Sequence, residues 1–204
     1  MAKLYFRYGA MNCGKTALLL QSVHNYEDRN KKILVMKPMQ DTKGNNKVVS
    51  RVGLEREVDH IIDKDENLYD YIVNHDEDIA CIFIDEAQFL KREQVDDLLL
   101  ATVTEDIPII CYGLRTDFLM NGFEGSTRLL ELAHSIEEMK TICRCGKKAM
   151  CNARMVDGEF VFSGEQVAID GEKNVTYDSL CPKCYFEEKN KFLNREKPKQ
   201  YVKR

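Results

Sequence analysis

Eight residues near the start of the chain, Gly9-Ala10-Met11-Asn12-Cys13-Gly14-Lys15-Thr16, fit G-x-x-x-x-G-K-[ST], the pattern of a phosphate-binding P-loop. A short aromatic run precedes them, and residues 16–27 carry apolar side chains near one helical face. Between a strand and a helix, the glycines let backbone N–H groups turn toward phosphate oxygens, and the helix N-terminus adds partial positive charge. Lys15 would reach the β- and γ-phosphates, and the Thr16 hydroxyl would bind Mg²⁺. A chance glycine turn, the alternative, would not explain the flanking strand and helix.

Length and composition describe an ordinary globular chain. Its 204 residues suffice for one full core plus a small module, and 44% are hydrophobic and 31% charged. The net charge of -4 gives no global electrostatic case for binding nucleic acid. No apolar run approaches the ~20 residues that a membrane span needs. Because the first strand begins just after Met1, we expect no signal peptide and a cytoplasmic location.

Apolar runs alternate with helical patterns through the first two thirds of the chain. After the first strand and helix, we predict buried strands at 33–36, 80–84, 107–112 and 139–143, and helices at 65–75, 91–101 and 126–136. Ser126 is the predicted N-cap of the last helix. Polar residues 40–59 show no period and predict a mobile loop. Buried strands alternating with helices predict an α/β fold with a central parallel sheet.

The pattern changes near residue 142, where short strands with alternating hydrophobicity begin. We therefore predict a P-loop nucleotide-binding domain over 1–142 and a small cysteine-bearing domain over 143–186. Residues 187–204 hold seven Lys or Arg against three Glu and predict a disordered basic tail. An arm that binds nucleic acid is the alternative for this tail.

An acidic pair, Asp85-Glu86, follows the apolar run 80–84. Asp85 would hold Mg²⁺, and Glu86 would act as general base on the attacking group. The alternatives for Glu86 are water activation in an ATPase and a merely solvated acidic turn. A kinase must also exclude water during transfer, and residues 115–123 together with the cysteine domain are the candidate lid.

Four of the eight cysteines form two close pairs, Cys143/Cys145 and Cys181/Cys184. Four thiolates in two pairs fit tetrahedral Zn²⁺ in a structural site, with Gly146 allowing a tight turn. A redox C-x-x-C motif is the rival, but the thioredoxin-like strand and helix that it needs are not evident. Cys151 is interpreted as a spare cysteine.

The motifs together resemble one family. The set comprises the P-loop, Lys37-Pro38 with Asp41, the run Phe83-Ile84-Asp85-Glu86-Ala87-Gln88-Phe89, the loop 112–118, and the paired cysteines with Tyr177 between them. Over about residues 3–186, this order resembles the type II thymidine kinases of bacteria and of the animal cytosol. The resemblance implies a RecA-like P-loop domain plus a zinc-bearing lasso domain that closes over the nucleoside. It also implies ATP-dependent 5′-phosphorylation of thymidine, Mg²⁺, structural Zn²⁺, a homotetramer, and feedback inhibition by thymidine triphosphate.

The resemblance also assigns roles to residues of this chain. Glu86 matches the base that takes the 5′-hydroxyl proton, and Gln88 falls with the P-loop and Asp85 on the nucleotide side. Asn152 falls where the family has a polar side chain near the base, and Tyr177 matches the tyrosine of the lasso. The remaining nucleoside positions are apolar side chains at Met11, Phe89, Leu114, Phe118 and Phe123, and lasso backbone at Ala168, Ile169, Asp170 and Gly171.

Two departures from the family pattern leave choices open. Lys43 replaces a frequent arginine after Asp41-Thr42, so a phosphate contact could pass to Lys43 or Arg51. Ile169-Asp170-Gly171 stands where a Gly-Gly pair is frequent. Two other functions are alternatives: an ATPase whose zinc module and tail bind nucleic acid, and a kinase for another deoxynucleoside.

Overall fold

The computed structural model describes residues 1–40, 46–75, 78–166 and 174–196. The chain divides into two compact units. The first comprises Met1–Gly9, Cys13–Arg115 and Gly122–Met139, and the second comprises Ala10–Asn12, Thr116–Asn121 and the described residues from Lys140 onward. The sequence predicts a single boundary at 142, whereas packing places it after Met139 and adds two short segments to the second unit. Within the described ranges, no helix has both the length and the apolar character to cross a bilayer.

The first unit is an α/β structure, which confirms the predicted fold class. Its strands are β1 (Leu4–Gly9), β2 (Ile33–Pro38), β3 (Lys47–Val49), β4 (Glu55–Glu57), β5 (His60–Ile62), β6 (Cys81–Ile84), β7 (Ile109–Gly113) and β8 (Ser135–Met139). Its helices are α1 (Lys15–Glu27), α2 (Leu68–Val73), α3 (Arg92–Thr104) and α4 (Glu124–Leu132), with a 3₁₀ turn at Ala87–Phe89. Six strands form one parallel sheet in the order β5-β2-β6-β7-β1-β8, and β3 and β4 form a separate antiparallel pair.

Both faces of the parallel sheet are buried, which explains the continuous apolar runs of its central strands. Alternate strand residues point to opposite faces. Leu34 and Ile82 pack in a core with side chains of α2, α3 and α4. Val35 and Phe83 pack in a second core with side chains of α1 and with Val48 of β3.

The carboxyl ends of parallel strands meet at one edge of the sheet, where ligands of such folds bind. β1 pairs with β7 so that Tyr8 lies opposite Gly113, and β6 pairs with β7 so that Ile84 lies opposite Cys111. The residues that follow these strands in the first unit, including Asp85 and Leu114, therefore lie at the same edge.

Three predicted elements are wrong in detail. The region predicted as a loop at 40–59 contains the β3–β4 hairpin, whose three-residue strands are too short and too charged to show a period of two. The helix predicted at 126–136 is α4, which begins after Phe123 and ends at Leu132. Ala133 is extended, and the residues after it form β8, the edge strand beside β1. The strand predicted at 139–143 is thus divided between β8 and the second unit.

The second unit is built from short antiparallel strands and one helix. Its elements are β9 (Thr141–Ile142), β10 (Lys148–Ala149), β11 (Cys151–Val156), β12 (Glu159–Val161), β13 (Val175–Leu180) and α5 (Pro182–Glu196). The central strand of the larger sheet is β11, between β12 and β13. Tyr185 of α5 is fully buried beside Phe162, and Phe192 packs on the same core. This packing explains why α5 continues to Glu196, so the disorder predicted for 187–196 is wrong; residues 197–204 lie outside the described ranges.

Candidate active site

The phosphate loop joins β1 to α1. Gly9 ends the strand at a point of close approach, because a Cβ atom there would lie 2.5 Å from the Cys13 sulfur and 2.6 Å from the Met139 carbonyl oxygen. Gly14 has φ +82°, a left-handed conformation that favours glycine, and precedes the first residue of the helix. Both glycines of the pattern are therefore required by local geometry.

The N-terminus of α1 is open to an anion. No side chain caps it, and its first turn carries no acidic residue. The first N–H groups of a helix lack intrahelical partners and favour phosphate through their partial positive charge. Lys15 is the first helical residue and is 7% exposed, with its ammonium 3.7 Å from the Cys13 sulfur. The arrangement fits the phosphates of a nucleotide.

Asp85 lies just past the end of β6 and is 4% exposed. The Thr16 hydroxyl donates to its Oδ2 over 3.2 Å, while its Oδ1 is buried with no hydrogen-bond partner among the residues that the structure describes. Burial, reinforced by the neighbouring Glu86 carboxylate, raises the pKa of Asp85 to about 7. A buried carboxylate oxygen without a partner is costly, and a cation beside it removes that cost. The Thr16–Asp85 pair therefore fits a site for Mg²⁺.

Glu86 adopts a left-handed conformation with φ +49°, which is uncommon for a residue with a side chain. Gln88, only 2% exposed, donates its amide N–H to the Glu86 carboxylate. The Gln88 carbonyl accepts from the Leu114 N–H over 3.0 Å, so the orientation of the amide is fixed. The Leu114 carbonyl in turn accepts from the buried Ser126 hydroxyl. Ser126 therefore braces this loop. The sequence predicts Ser126 as the N-cap of α4, and this prediction is wrong because Phe123 occupies that position.

Two aromatic side chains of the first unit contact each other, one of them shortly after the acidic pair in the sequence. Phe89 and Phe123 contact edge to face, with ring centroids 5.7 Å apart. Phe123 is 6% exposed, while Phe89 and Leu114 are half-buried. Three of the five predicted apolar positions, Phe89, Leu114 and Phe123, therefore belong to the first unit. Phe89 follows Glu86 and Gln88 in one short segment, and Leu114 lies in the loop that Gln88 fixes.

The tip of the phosphate loop belongs to the second unit, where two polar side chains hold it. Asn152 is 3% exposed, and its side-chain oxygen accepts from the Met11 N–H over 2.8 Å. Its amide donates to the Thr116 carbonyl over 2.8 Å, and the Ser179 hydroxyl donates to the Met11 carbonyl. Asn152, predicted near the base, therefore bonds to backbone on both sides.

Phe118 and Tyr177 share one partner in the second unit, Arg154. The guanidinium carbon lies 3.7 Å from the centroid of the Phe118 ring and 5.5 Å from that of Tyr177. Phe118 is 1% exposed, and its carbonyl accepts from the Tyr185 hydroxyl over 2.7 Å. Sequence reasoning missed Arg154 and Ser179. The available signal was alternation: Asn152 and Arg154 are two residues apart on β11, opposite Ser179 and Tyr177 of β13.

The four predicted zinc ligands come together in the second unit. The sulfur atoms of Cys143, Cys145, Cys181 and Cys184 all lie within 4.8 Å of one another. A hydrogen bond from the Cys184 backbone lowers the pKa of Cys181 to about 7, whereas bonding to Cys145 raises the pKa of Cys184 to about 12. Without a cation the thiol of Cys184 therefore stays protonated, whereas a bound metal ion favours the thiolate form, and four sulfur ligands suit tetrahedral Zn²⁺. Cys151 is buried outside this set.

The remaining predicted site residues either lie outside the described part of the chain or are exposed. Ala168, Ile169, Asp170 and Gly171 lie outside the described residues, and so does Lys43. Arg51, the alternative to Lys43, is exposed in the turn between β3 and β4.

Comparisons with known proteins give a consistent result. A family profile described as thymidine kinase matches residues 2–185. The chain is 45% identical over 191 residues to the thymidine kinase of Enterobacteria phage T4, and the alignment covers 92% of this chain and 97% of that protein. It is 46% identical over 190 residues to that of Lactiplantibacillus plantarum, covering 91% and 96%. It is 41% identical over 194 residues to that of Francisella tularensis subsp. holarctica, covering 92% and 98%.

Proposed function

The chain belongs to the thymidine kinase family, and we propose that it transfers the γ-phosphoryl group of ATP to the 5′-hydroxyl of thymidine. One observation carries this proposal: the family profile spans both the phosphate loop and the four-cysteine cluster. A P-loop alone would support only a nucleotide-binding protein. The product would be thymidine 5′-monophosphate, formed with ADP.

The nucleotide side of the reaction falls to the phosphate loop and Asp85. The N–H groups at the start of α1 and the ammonium of Lys15 bind the β- and γ-phosphates. Thr16 and Asp85 hold Mg²⁺, which would neutralise phosphate charge during transfer. The buried oxygen of Asp85 without a partner supports this assignment. Lys43 or Arg51 would supply a further cation at the phosphates.

Glu86 serves as the general base in this proposal. Its carboxylate accepts the proton of the 5′-hydroxyl as the oxygen attacks the γ-phosphorus in line. The hydrogen bond from Gln88 orients the carboxylate, and the Leu114 N–H orients Gln88 in turn. Because phosphoryl transfer depends mainly on positioning and charge stabilisation, such a chain of contacts is suited to the task.

The thymidine side is assigned to apolar and aromatic side chains. A thymine ring is flat and partly apolar, so Met and aromatic groups suit its faces and its methyl group. We assign this role to Met11, Phe89, Leu114, Phe118, Phe123 and Tyr177, with backbone groups of residues 168–171 at the polar edge of the base. Asn152 would contribute by fixing Met11 rather than by reading the base, since both ends of its amide bond to backbone.

The remaining assignments concern the whole protein. Zn²⁺ bound by the four cysteines would have a structural role, because four sulfur ligands leave no position open for catalysis. The second unit would then act as the lid that excludes water. We further propose a homotetramer in the cytoplasm and inhibition by thymidine triphosphate at the acceptor site.

The test is transfer of labelled γ-phosphate from ATP·Mg²⁺ to each of the four common deoxynucleosides, with a control lacking nucleoside. We expect a strong preference for thymidine over deoxycytidine and the two purine nucleosides. Preference for another deoxynucleoside would retain a kinase and change its substrate. Phosphate released only to water, and stimulated by DNA, would replace the proposal with a nucleic-acid-dependent ATPase.

A further inference from the structure

Arg154 is a buried charge with an unusual set of partners. It is 5% exposed, and no carboxylate among the described residues forms an ion pair with it. Burying a guanidinium is costly unless hydrogen bonds replace its water. An arginine buried there with no counterion among the described residues is therefore expected to organise the groups that surround it.

Three oxygens in the described part of the chain accept hydrogen bonds from Arg154. Its Nε donates to the Tyr177 hydroxyl over 3.0 Å, its Nη1 to the Glu165 carbonyl over 2.9 Å, and its Nη2 to the Gln166 carbonyl over 3.0 Å. Two backbone carbonyls and one phenol thus occupy the fork of one planar cation. A lysine has no such fork and cannot reproduce this geometry.

The face of the guanidinium has its own partner. It stacks on Phe118 with the guanidinium carbon 3.7 Å from the ring centroid. The turn that carries Phe118 is held by Asp117, whose carboxylate accepts from the N–H groups of Leu119 and Asn121, each over 2.8 Å. Arg154 therefore fixes the plane of the ring, while Asp117 fixes the backbone that carries it.

The partners of Arg154 coincide with predicted parts of the thymidine site. Phe118 and Tyr177 are two of the side chains assigned to contact the thymine ring. Glu165 and Gln166 directly precede, in sequence, the segment that contains residues 168–171. From these contacts we infer that Arg154 is a positioning residue that preorganises the thymidine side and sets the affinity for the nucleoside. This inference rests on the proposed function, but it goes beyond it by naming a group that acts through Phe118, Tyr177 and the two carbonyls.

The decisive experiment compares Arg154→Lys with the native enzyme in the full chain, with zinc content and melting temperature measured first. We expect KM for thymidine to rise at least ~10-fold, because Phe118 and Tyr177 are no longer held in place for the nucleoside, while KM for ATP stays within ~2-fold. Arg7→Lys is the matched control. Arg7 donates to the Tyr112 hydroxyl over 2.8 Å, lies 5.7 Å from that ring and forms an ion pair with Glu137; within the described part of the chain, these polar partners include no assigned site residue. It should leave both KM values unchanged.

Tyr177→Phe provides a second variant, which keeps the ring and removes one acceptor of Arg154. It should raise KM for thymidine less than Arg154→Lys does, and the two changes combined should fall short of the product of their separate effects. If Arg154→Lys lowers zinc content, Tyr177→Phe alone decides, with an unchanged KM for thymidine overturning the inference. Equal rises in both KM values, or multiplicative effects in the double variant, would also overturn it. Absence of transfer to thymidine by the native enzyme would instead refute the proposed function.

Discussion

Replacing Gln88 by Met tests whether the general base depends on a buried brace. The substitution keeps the length of the side chain and removes both polar atoms. It leaves the Leu114 N–H without its acceptor, which costs about 1–3 kcal/mol where water cannot take the acceptor's place. It also removes the hydrogen bond to the Glu86 carboxylate, which costs about 1.5 kcal/mol because Glu86 is half-buried and water replaces part of the bond. We expect the free energy of unfolding to fall by about 2.5–4.5 kcal/mol, the sum of the two costs.

The same change should slow the chemical step. Without Gln88, Glu86 keeps its strained backbone but loses the donor that orients its carboxylate. We expect kcat to fall by about 10- to 100-fold, equivalent to about 1.4–2.8 kcal/mol of transition-state stabilisation. Denaturant unfolding gives the first quantity, and steady-state transfer to thymidine below the melting temperature gives the second. A direct contact of Gln88 with the nucleotide would be seen separately as a change in KM for ATP.

A second buried glutamine supplies the control. Gln94 is 3% exposed, accepts from the Lys91 N–H over 3.0 Å and donates to the Asp63 carbonyl over 2.9 Å. Gln94→Met should therefore cost similar stability and leave kcat within ~2-fold. If the two variants lose stability equally and also lose kcat equally, or if Gln88→Met keeps full kcat, the proposed brace is refuted.

Three further predictions concern the base, the loop and the metal. Glu86→Gln should preserve ATP binding in calorimetry and lower kcat at least ~100-fold; near-normal turnover would remove Glu86 from the role of base. Gly9→Ala should abolish measurable ATP binding and cost about 1–3 kcal/mol of stability, since its Cβ would meet the Cys13 sulfur and the Met139 carbonyl at under 3 Å; normal ATP affinity would contradict this geometry. Chelation of zinc should speed hydrogen exchange across the second unit and leave the first protected, whereas loss of protection in both would show that the metal stabilises the whole chain.

The parts of the fold that sequence predicts well are those governed by local pattern. β2 and β6 are continuous apolar runs because both faces of the sheet are covered, and the P-loop has one dominant local geometry. The four cysteines were identifiable because their spacing suits one metal. The elements that the sequence predicts wrongly depend on partners that are distant along the chain. β8 is a strand because it pairs with β1, and its own residues, Ser135–Met139, carry two glutamates that conceal this.

The same distinction applies to the site. Asp85 and Glu86 could be assigned because they follow an apolar strand at the usual place. The partners that orient site residues could not be assigned from the sequence, because they come from distant parts of the chain. Leu114 is 26 residues from Gln88, and Tyr177 is 23 residues from Arg154. A hydrogen bond between such positions leaves no periodic signal in a single sequence. Helix α5 illustrates the point for packing. Its second half is highly charged and shows no clear helical pattern, but Phe192 packs on the core beside Phe162.

The central claim is that the 5′-hydroxyl of thymidine is the acceptor. The most direct measurement uses two analogues with ATP·Mg²⁺ and the native enzyme: 3′-deoxythymidine, which keeps the 5′-hydroxyl, and 5′-deoxythymidine, which lacks it. We expect a monophosphate product, identified by mass spectrometry, from thymidine and 3′-deoxythymidine, and none from 5′-deoxythymidine. A phosphorylated product from 5′-deoxythymidine, or none from thymidine itself, would contradict the claim.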